Sequence, residues 1–404
     1  MEKNYNDQTE QQQASKKNVK SSVITLVKEY LENKYFLRYN EINNEIEFKL
    51  KYDQTTDYKN LNFDNLVIEL SEELYTISDS KLLSLLKSDF VPTYNPLKEY
   101  FENLPKWEPQ TKDNQTLDND HIKHLASFVT AKDTERFNIH FEKMFVRMIA
   151  CALRKDFNKQ AFILIGKQND GKTTFLRFLC PSFLKDYYTE YLRLDHQDGE
   201  IGLAENFIIN LDELANLAKK GIDVVKSMMS REDVNVRRPY ARKTERTPRI
   251  ANFLGSTNKD DFLTDSSGSV RWLCFGIDAI DFNYKSLVNI DLVYSQAYYL
   301  YKNGFEYKVT QEEVQQNEEA NEQYQRNYLE LELVQKYYEQ DLKEDKANFK
   351  TATDILIYLR AITSLNDIKT NNIGKALADL KIPKKSLRTE KGSKKGYFLH
   401  QREN

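Results

Sequence analysis

Residues Gly166-Lys167-Gln168-Asn169-Asp170-Gly171-Lys172-Thr173 fit the pattern G-x-x-x-x-G-K-[ST], a spacing suited to gripping the phosphates of a nucleoside triphosphate. Successive backbone N–H groups of such a loop cradle phosphate oxygens, the lysine reaches the β and γ oxygens, and the hydroxyl ligates Mg²⁺. Glycine is scarce here, 12 in 404 residues, and two of the 12 stand at the pattern's fixed positions, so coincidence is a poor explanation. ATP and Mg²⁺ are therefore the expected cofactors. Gly166, Lys167, Gln168, Asn169, Asp170, Gly171, Lys172, Thr173 and Thr174 are the expected ATP contacts, with Lys172 also catalytic.

A pair of acids supplies the rest of that chemistry. Asp212 and Glu213 follow the apolar run Phe207-Ile208-Ile209-Asn210-Leu211. Asp212, with Thr173, is placed to hold Mg²⁺, and Glu213 to polarise an attacking water. The plainer alternative is an acidic helix N-terminus, where carboxylates are favourable without catalysis. A further run, Ile250-Ala251-Asn252-Phe253-Leu254-Gly255, delivers Ser256-Thr257-Asn258. Asn258 would set an amide near the γ-phosphate and the water, or else serve as an ordinary turn residue.

These groups act together only if the chain presents them together. Ala161-Phe162-Ile163-Leu164-Ile165, before the loop, reads as a buried parallel strand. Phe175, Leu176, Phe178, Leu179 and Phe183 follow it at helical spacing. Phe141, Met144, Phe145, Met148, Ile149, Ala152 and Leu153 form a helical stripe leading in. Val270 to Ile277 is a candidate fourth strand. Strands alternating with helices imply an α/β core, a parallel sheet with helices on both faces.

Between Glu213 and Asn258, the segment Arg231 to Arg249 carries seven Arg or Lys residues against Glu232, Asp233 and Glu245. Val234 and Val236 alternate with polar residues there, so a basic β-hairpin is expected. Its candidate DNA contacts are Arg237, Arg238, Tyr240, Arg242 and Lys243: cations for the phosphate backbone and a ring to stack a base. The bland alternative is a solvated hairpin.

The order of these motifs resembles that of the virulence-associated protein E family. The resemblance rests on Gly166–Thr173, Asn210-Leu211-Asp212-Glu213-Leu214, Arg238-Pro239-Tyr240-Ala241-Arg242, Pro248-Arg249, Gly255-Ser256-Thr257-Asn258 with Phe262-Leu263, and Gly268-Ser269-Val270-Arg271-Trp272. It covers about residues 95–280. It implies an ATPase of phages, prophages and other mobile elements, similar to superfamily 3 helicases, on a P-loop NTPase (AAA+-like) core. Where that family usually shows Gly-x-Arg-Arg before an aromatic residue, this chain has Val270 and the single Arg271. Arg271 is the candidate arginine finger, acting across a subunit interface, with Arg249 as its rival. No primase domain is recognisable before residue 95, so a separate primase is a candidate partner.

Around the core, residues 1–20 read as a disordered polar tail and 21–95 as an α+β region. In the latter, a helix over Val23 to Leu31 precedes strands Tyr35–Asn40 and Ile46–Leu50, which flank the turn-prone Asn43-Asn44. Asn95-Pro96 and Leu104-Pro105 mark a boundary, after which the ATPase core occupies 96–300. Residues 301–349, rich in Glu, Gln and Tyr, are expected to form a solvated helical linker. Residues 350–404 suggest a winged-helix-like domain: one helix through Ile355, Leu356, Leu359 and Ile362, a second through Ile373, Leu377 and Leu380, then a β-ribbon. Lys381 to Glu403 holds eight Lys or Arg against two Glu, making Lys384, Lys385 and Arg388 candidate duplex contacts.

The net charge of −3 neither favours nor opposes nucleic acid, so any basic surface must be local. No apolar run approaches the roughly 18 residues of a membrane span, and the polar first 20 residues are no signal peptide. Cys151, Cys180 and Cys274 form no C-x-x-C pair, which suggests a reducing cytoplasm. His121 and His124 read as surface residues. The expected protein is a cytoplasmic Mg²⁺-dependent ATPase, a DNA helicase or replication ATPase of a mobile element, working as a hexameric ring on single-stranded and forked DNA. A rival is an ATP-switched DNA-binding initiator that does not unwind. A phosphotransferring kinase is weakened by the Asp212-Glu213 pair.

Overall fold

The computed structural model describes residues 22–402 apart from 54–56, 74, 110, 113–114, 117–118, 193–195, 213, 215–218, 237–243, 260–261, 264–269, 325–328, 366–367 and 390–391. The chain divides into two compact units, one of Met1–Lys106 with Ser182–Tyr187, the other of Trp107–Pro181 with Tyr188–Asn404.

In the first unit, helix α1 (Val23–Lys34) leads to strands β1 (Tyr35–Asn40), β2 (Ile46–Leu50) and β3 (Lys59–Asn60). Helices α2 (Phe63–Glu72) and α3 (Asp79–Leu86), strand β4 (Thr93–Tyr94) and helix α4 (Pro96–Glu102) follow. The sheet order is β3-β2-β1-β4, with β1 antiparallel to β2 and parallel to β4. Val27 and Leu31 of α1 pack with Leu66, Leu70 and Leu82 in its core. The two longer strands have the bounds the sequence predicts. The units divide between Lys106 and Trp107, beside the expected Leu104-Pro105 and not at Asn95-Pro96, because Pro96 stands at the first turn of α4, where proline starts a helix. Asn95 caps α4 through Leu97 N and Lys98 N, and Leu97 and Phe101 are buried. Ser182–Tyr187 joins this unit by long-range contacts that no local pattern displays. Asn40 donates to the Tyr187 hydroxyl at 2.7 Å, and Phe183 stacks on Tyr100.

The second unit is built on strands β5 (Val129–Ala131), β6 (Ala161–Ile165), β7 (Tyr188–Thr189), β8 (Ile208–Leu211), β11 (Asn252–Thr257) and β12 (Trp272–Ile280). Between β8 and β11 lie β9 (Asp233–Val236) and β10 (Glu245–Pro248), which form a separate antiparallel pair. The six-stranded sheet runs β5-β12-β6-β11-β8-β7. β12, β6, β11, β8 and β7 pair in parallel, and β5 adds an antiparallel edge. All residues of β6, β8 and β11 are buried, which is why they read as mostly apolar runs, with Asn210, Asn252, Ser256 and Thr257 as the buried polar exceptions. Gly255 is required by close approach: a Cβ there would meet Leu214 Cδ1 at 2.8 Å and Ile163 Cδ1 at 2.9 Å.

Helix α5 (Thr134–Ala152), capped by Asp133, buries Phe137, Phe141 and Phe145 and carries the chain to β6. The expected helical linker is solvated on one face only. Its helix α6 (Gln311–Glu322) has Asn317 and Asn321 1% and 2% exposed, both amides donating to Trp272 O, at 2.9 and 2.8 Å. Buried amides that satisfy a strand carbonyl look, by composition, like a polar surface face.

At the C-terminus, α7 (Leu329–Tyr337), β13 (Tyr338–Gln340), β14 (Phe349–Lys350), α8 (Ala352–Thr363), α9 (Thr370–Asp379), β15 (Lys385–Thr389) and β16 (Gly392–Gln401) share one core. β15 and β16 form an antiparallel hairpin, and β16 also pairs with β13 and β14. Val334 of α7 packs with Ile355, Leu359, Leu377 and Leu399, so this part begins well before residue 350.

Candidate functional site

The turn after β6 is shaped by backbone conformation. Asn169 has φ 68 and Gly171 φ 80, left-handed values that asparagine tolerates and glycine adopts freely. At Gly171 there is also no room, because a Cβ would stand 2.4 Å from the Phe282 ring. The helix Lys172–Phe178 starts there and turns Lys172 inward, 7% exposed. Its Nζ donates to Gly166 O at 2.9 Å and to Lys167 O. Burial draws the Lys172 amine below the ordinary lysine range, with Asp170 and Asp212 opposing. The Asp170 Oδ2 is buried without a partner among the described residues.

Three strand ends bring the side-chain oxygens together. Thr173 Oγ1, beyond β6, donates to Asp212 Oδ1 at 2.8 Å, and Ser256 Oγ, on β11, donates to the same oxygen at 2.7 Å. The two hydroxyls are 3.2 Å apart. Asp212 follows β8, the next strand along, so the parallel order β6-β11-β8 itself assembles the cluster. Around it lies an open cleft of about 370 Å³, lined by residues 168–174, Asp212, Ser256, Thr257, Asn258 and Phe282. Of the expected nucleotide contacts, Gln168 to Thr174 face this cleft, while Gly166 and Lys167 offer carbonyls to Lys172. Asn258 is exposed at its rim. Ser256 and Phe282 were not predicted. Ser256 belongs to the Gly255-Ser256-Thr257-Asn258 motif, whereas Phe282, 48% exposed just after β12, belongs to no motif. Chemically, the cleft offers a buried cation, amides of a tight loop and a carboxylate–hydroxyl cluster.

Other predicted residues stand elsewhere. Glu213 and the hairpin residues Arg237, Arg238, Tyr240, Arg242 and Lys243 lie outside the described residues. Arg271 precedes β12, whose Trp272 pairs with Ala161 at the start of β6, whereas the loop follows Ile165 at the other end. A strand of five residues separates the ends by about 15 Å, and Arg271 Nε donates to Ser230 Oγ at 2.9 Å. It cannot serve its own cleft. Arg249, its rival, is 1% exposed and bound to Asn158 O beside the Phe157 and Phe253 rings, so it has no free surface to offer another copy. Lys384 and Arg388 are exposed on the C-terminal hairpin segment, and Lys385 pairs with Glu344. Among the described residues no group of three His, Cys, Asp or Glu could hold a metal, and His124 lies against Phe128.

The family model described as the virulence-associated protein E-like domain matches residues 111–326. The chain belongs to that family. The matched span of this virulence-associated protein E-like chain includes the loop, the cluster and the β9–β10 hairpin. No curated protein matches the sequence. Among solved structures, the apo NrS-1 C terminal region (305-718) is 12% identical, with 94% of this chain and 100% of that one covered at a TM-score of 0.51. Its A form is 13% identical, with 93% and 99% covered, at 0.50. These likenesses show a shared fold. A structure titled SCCmec type IV Cch - active helicase is 13% identical over 86% of this chain and 73% of that one, at 0.33. Among the described residues, no helix is long and apolar enough to cross a membrane.

Proposed function

We propose that the cleft binds ATP with Mg²⁺ and that the chain hydrolyses it to move along or unwind DNA, as a ring of identical subunits and in the replication of a mobile element. The observation that carries this reading is the Thr173–Asp212–Ser256 cluster beside Lys172. Hydroxyl and carboxylate oxygens are hard ligands of the kind Mg²⁺ takes, and Mg²⁺ at phosphates needs few protein groups. Thr173 and Asp212 would hold the ion, which supplies charge to the phosphate oxygens. The unpartnered Asp170 Oδ2 and the crowded Gly171 suit a loop waiting for a ligand. Lys172 neutralises charge on the phosphates, Glu213 orients and deprotonates water, and Asn258 holds that water from the rim. The Phe282 ring offers an apolar wall for the base.

In this proposal the sheet is a P-loop NTPase core of the superfamily 3 helicase type. The β9–β10 hairpin would contact single strands, and α8, α9 and the β15–β16 hairpin would act as a winged helix on duplex. Arg271, remote from its own cleft, would complete a neighbour's as an arginine finger. The exposed Lys384, Arg388, Lys394 and Lys395 also favour a second reading, an ATP-switched initiator that binds duplex without opening it. A forked-duplex assay with and without ATP decides between them. Strand release that needs ATP supports the helicase; ATP-dependent binding without release supports the initiator; neither, with no ATP turnover, ends both.

A further inference from the structure

At the other end of the central sheet, Arg147 of α5 is 5% exposed. Its Nη1 donates to Tyr307 O at 3.1 Å and its Nε has no partner among the described residues. The acid whose charge it feels, Glu313, is already bound to Lys143 at 2.6 Å. Burial pushes the guanidinium down to about 10, so it remains charged at neutral pH. A guanidinium has five N–H donors in a planar fork, and one backbone carbonyl answers a single one of them.

Arg147 lines a cavity of about 260 Å³ together with Asp156, Lys159 and Lys308. The Asp156 carboxylate is engaged: Oδ2 pairs with Lys308 at 2.9 Å and Oδ1 accepts from Phe157 N at 2.9 Å. Asn158, also in the lining, accepts from Arg249, which is 1% exposed with Nε and Nη1 unpartnered among the described residues. Cations thus outnumber acids in the wall, and a second buried guanidinium stands behind it. As plain core packing this is unfavourable, because a buried cation without a counter-charge keeps its desolvation cost. An anion with several oxygens removes that cost, and guanidinium forks match phosphate geometry.

We propose that this cavity is a second phosphate-binding site, distinct from the Gly166–Thr173 cleft, with Arg147 and Lys159 as its phosphate contacts. Its position suits a nucleic-acid backbone. It opens beside Gln160 at the start of β6, and Arg249 directly follows the Asp233–Pro248 foot of the β9–β10 hairpin. Free phosphate shares the same chemistry, so the test separates the two sources.

The test uses the full chain carrying Lys172→Ala, so that the first cleft contributes little. Inorganic phosphate should raise the melting temperature above that in chloride of equal ionic strength. Adding Arg147→Met should lower phosphate affinity on the order of tenfold, the loss expected for a charge-assisted contact. Because it removes an unpaired buried charge, that change should not destabilise the phosphate-free chain. The exposed Lys159→Gln, which does not challenge folding, should weaken phosphate binding in the same direction. With a short single-stranded oligonucleotide, Lys159→Gln should lower the salt slope by about one unit if the backbone is the source. An unchanged slope with weakened phosphate binding assigns the site to free phosphate instead. If phosphate acts no differently from chloride, or acts equally on the Lys159→Gln chain, the site does not exist.

Discussion

The two ends of the central sheet use charge in opposite ways. Beyond Ile165, Asp212 accepts from two hydroxyls and Lys172 donates to the loop's own carbonyls, in a cleft open to solvent. Before Ala161, Arg147 and Arg249 are buried with donors that find no partner among the described residues. Hydroxyls and carbonyls orient these charged groups, an arrangement that in the proposed function would receive a phosphate and its metal. At the second end the charges themselves await a partner. Arg271 stands at the second end as well, which makes its role a sharp probe of the contrast.

The largest expected effect comes from Arg271. If it completes a neighbouring cleft, Arg271→Ala should cut ATP turnover by roughly 10³-fold or more, and mixed with wild type it should poison activity beyond its mole fraction. A strictly linear loss on mixing would place it in cis and contradict the separation of the two ends of β6, which lie about 15 Å apart. Glu213→Gln should follow, lowering hydrolysis by roughly 10²–10⁴-fold while ATP binding persists, as loss of a general base does. Equal turnover in that variant and wild type would remove Glu213 from the reaction.

Smaller effects sharpen the contrast by testing stability. Trp272 O, at the arginine end, is satisfied by two neutral amides. Asn317→Leu should cost about 1–3 kcal/mol in urea unfolding, the range for disturbing a buried hydrogen bond, whereas Arg147→Met should cost little. Reversal of that order would mean that Arg147 is a structural cation. The smallest effect lies away from both ends. The Asn348 amide, then the Lys343 and Asp345 N–H groups and His400, hold Asp341 down to about 2. Its folded value lies below the roughly 3.9 of an unfolded aspartate, so its stabilisation is complete above about pH 4 and lost as pH falls toward 2. Asp341→Asn should be less stable than wild type at neutral pH, and the gap should close in acid. A gap that persists unchanged at pH 2 would contradict that assignment.

The first end was legible in the sequence because its residues fall on consecutive motifs at strand ends. Apolar runs located β6, β8 and β11, and the acids and hydroxyls follow them directly. The second end was not. Arg147 stands off the apolar stripe of its helix with no motif to mark it, and the burial of Arg249 has no local signature in the sequence. Periodicity cannot register a polar side chain whose partner is a distant carbonyl, which is also why Asn317 and Asn321 looked solvated. Phe282 escaped for a related reason: what places it is contact with Gly171, over a hundred residues away in sequence.

Nucleotide chemistry in the cleft is decided by steady-state ATP hydrolysis of wild type and Lys172→Ala, with and without Mg²⁺. Turnover in wild type that requires Mg²⁺, with loss of both ATP binding and turnover in Lys172→Ala, is the predicted result. Equal turnover in the two proteins, or none in wild type with DNA present, would contradict it.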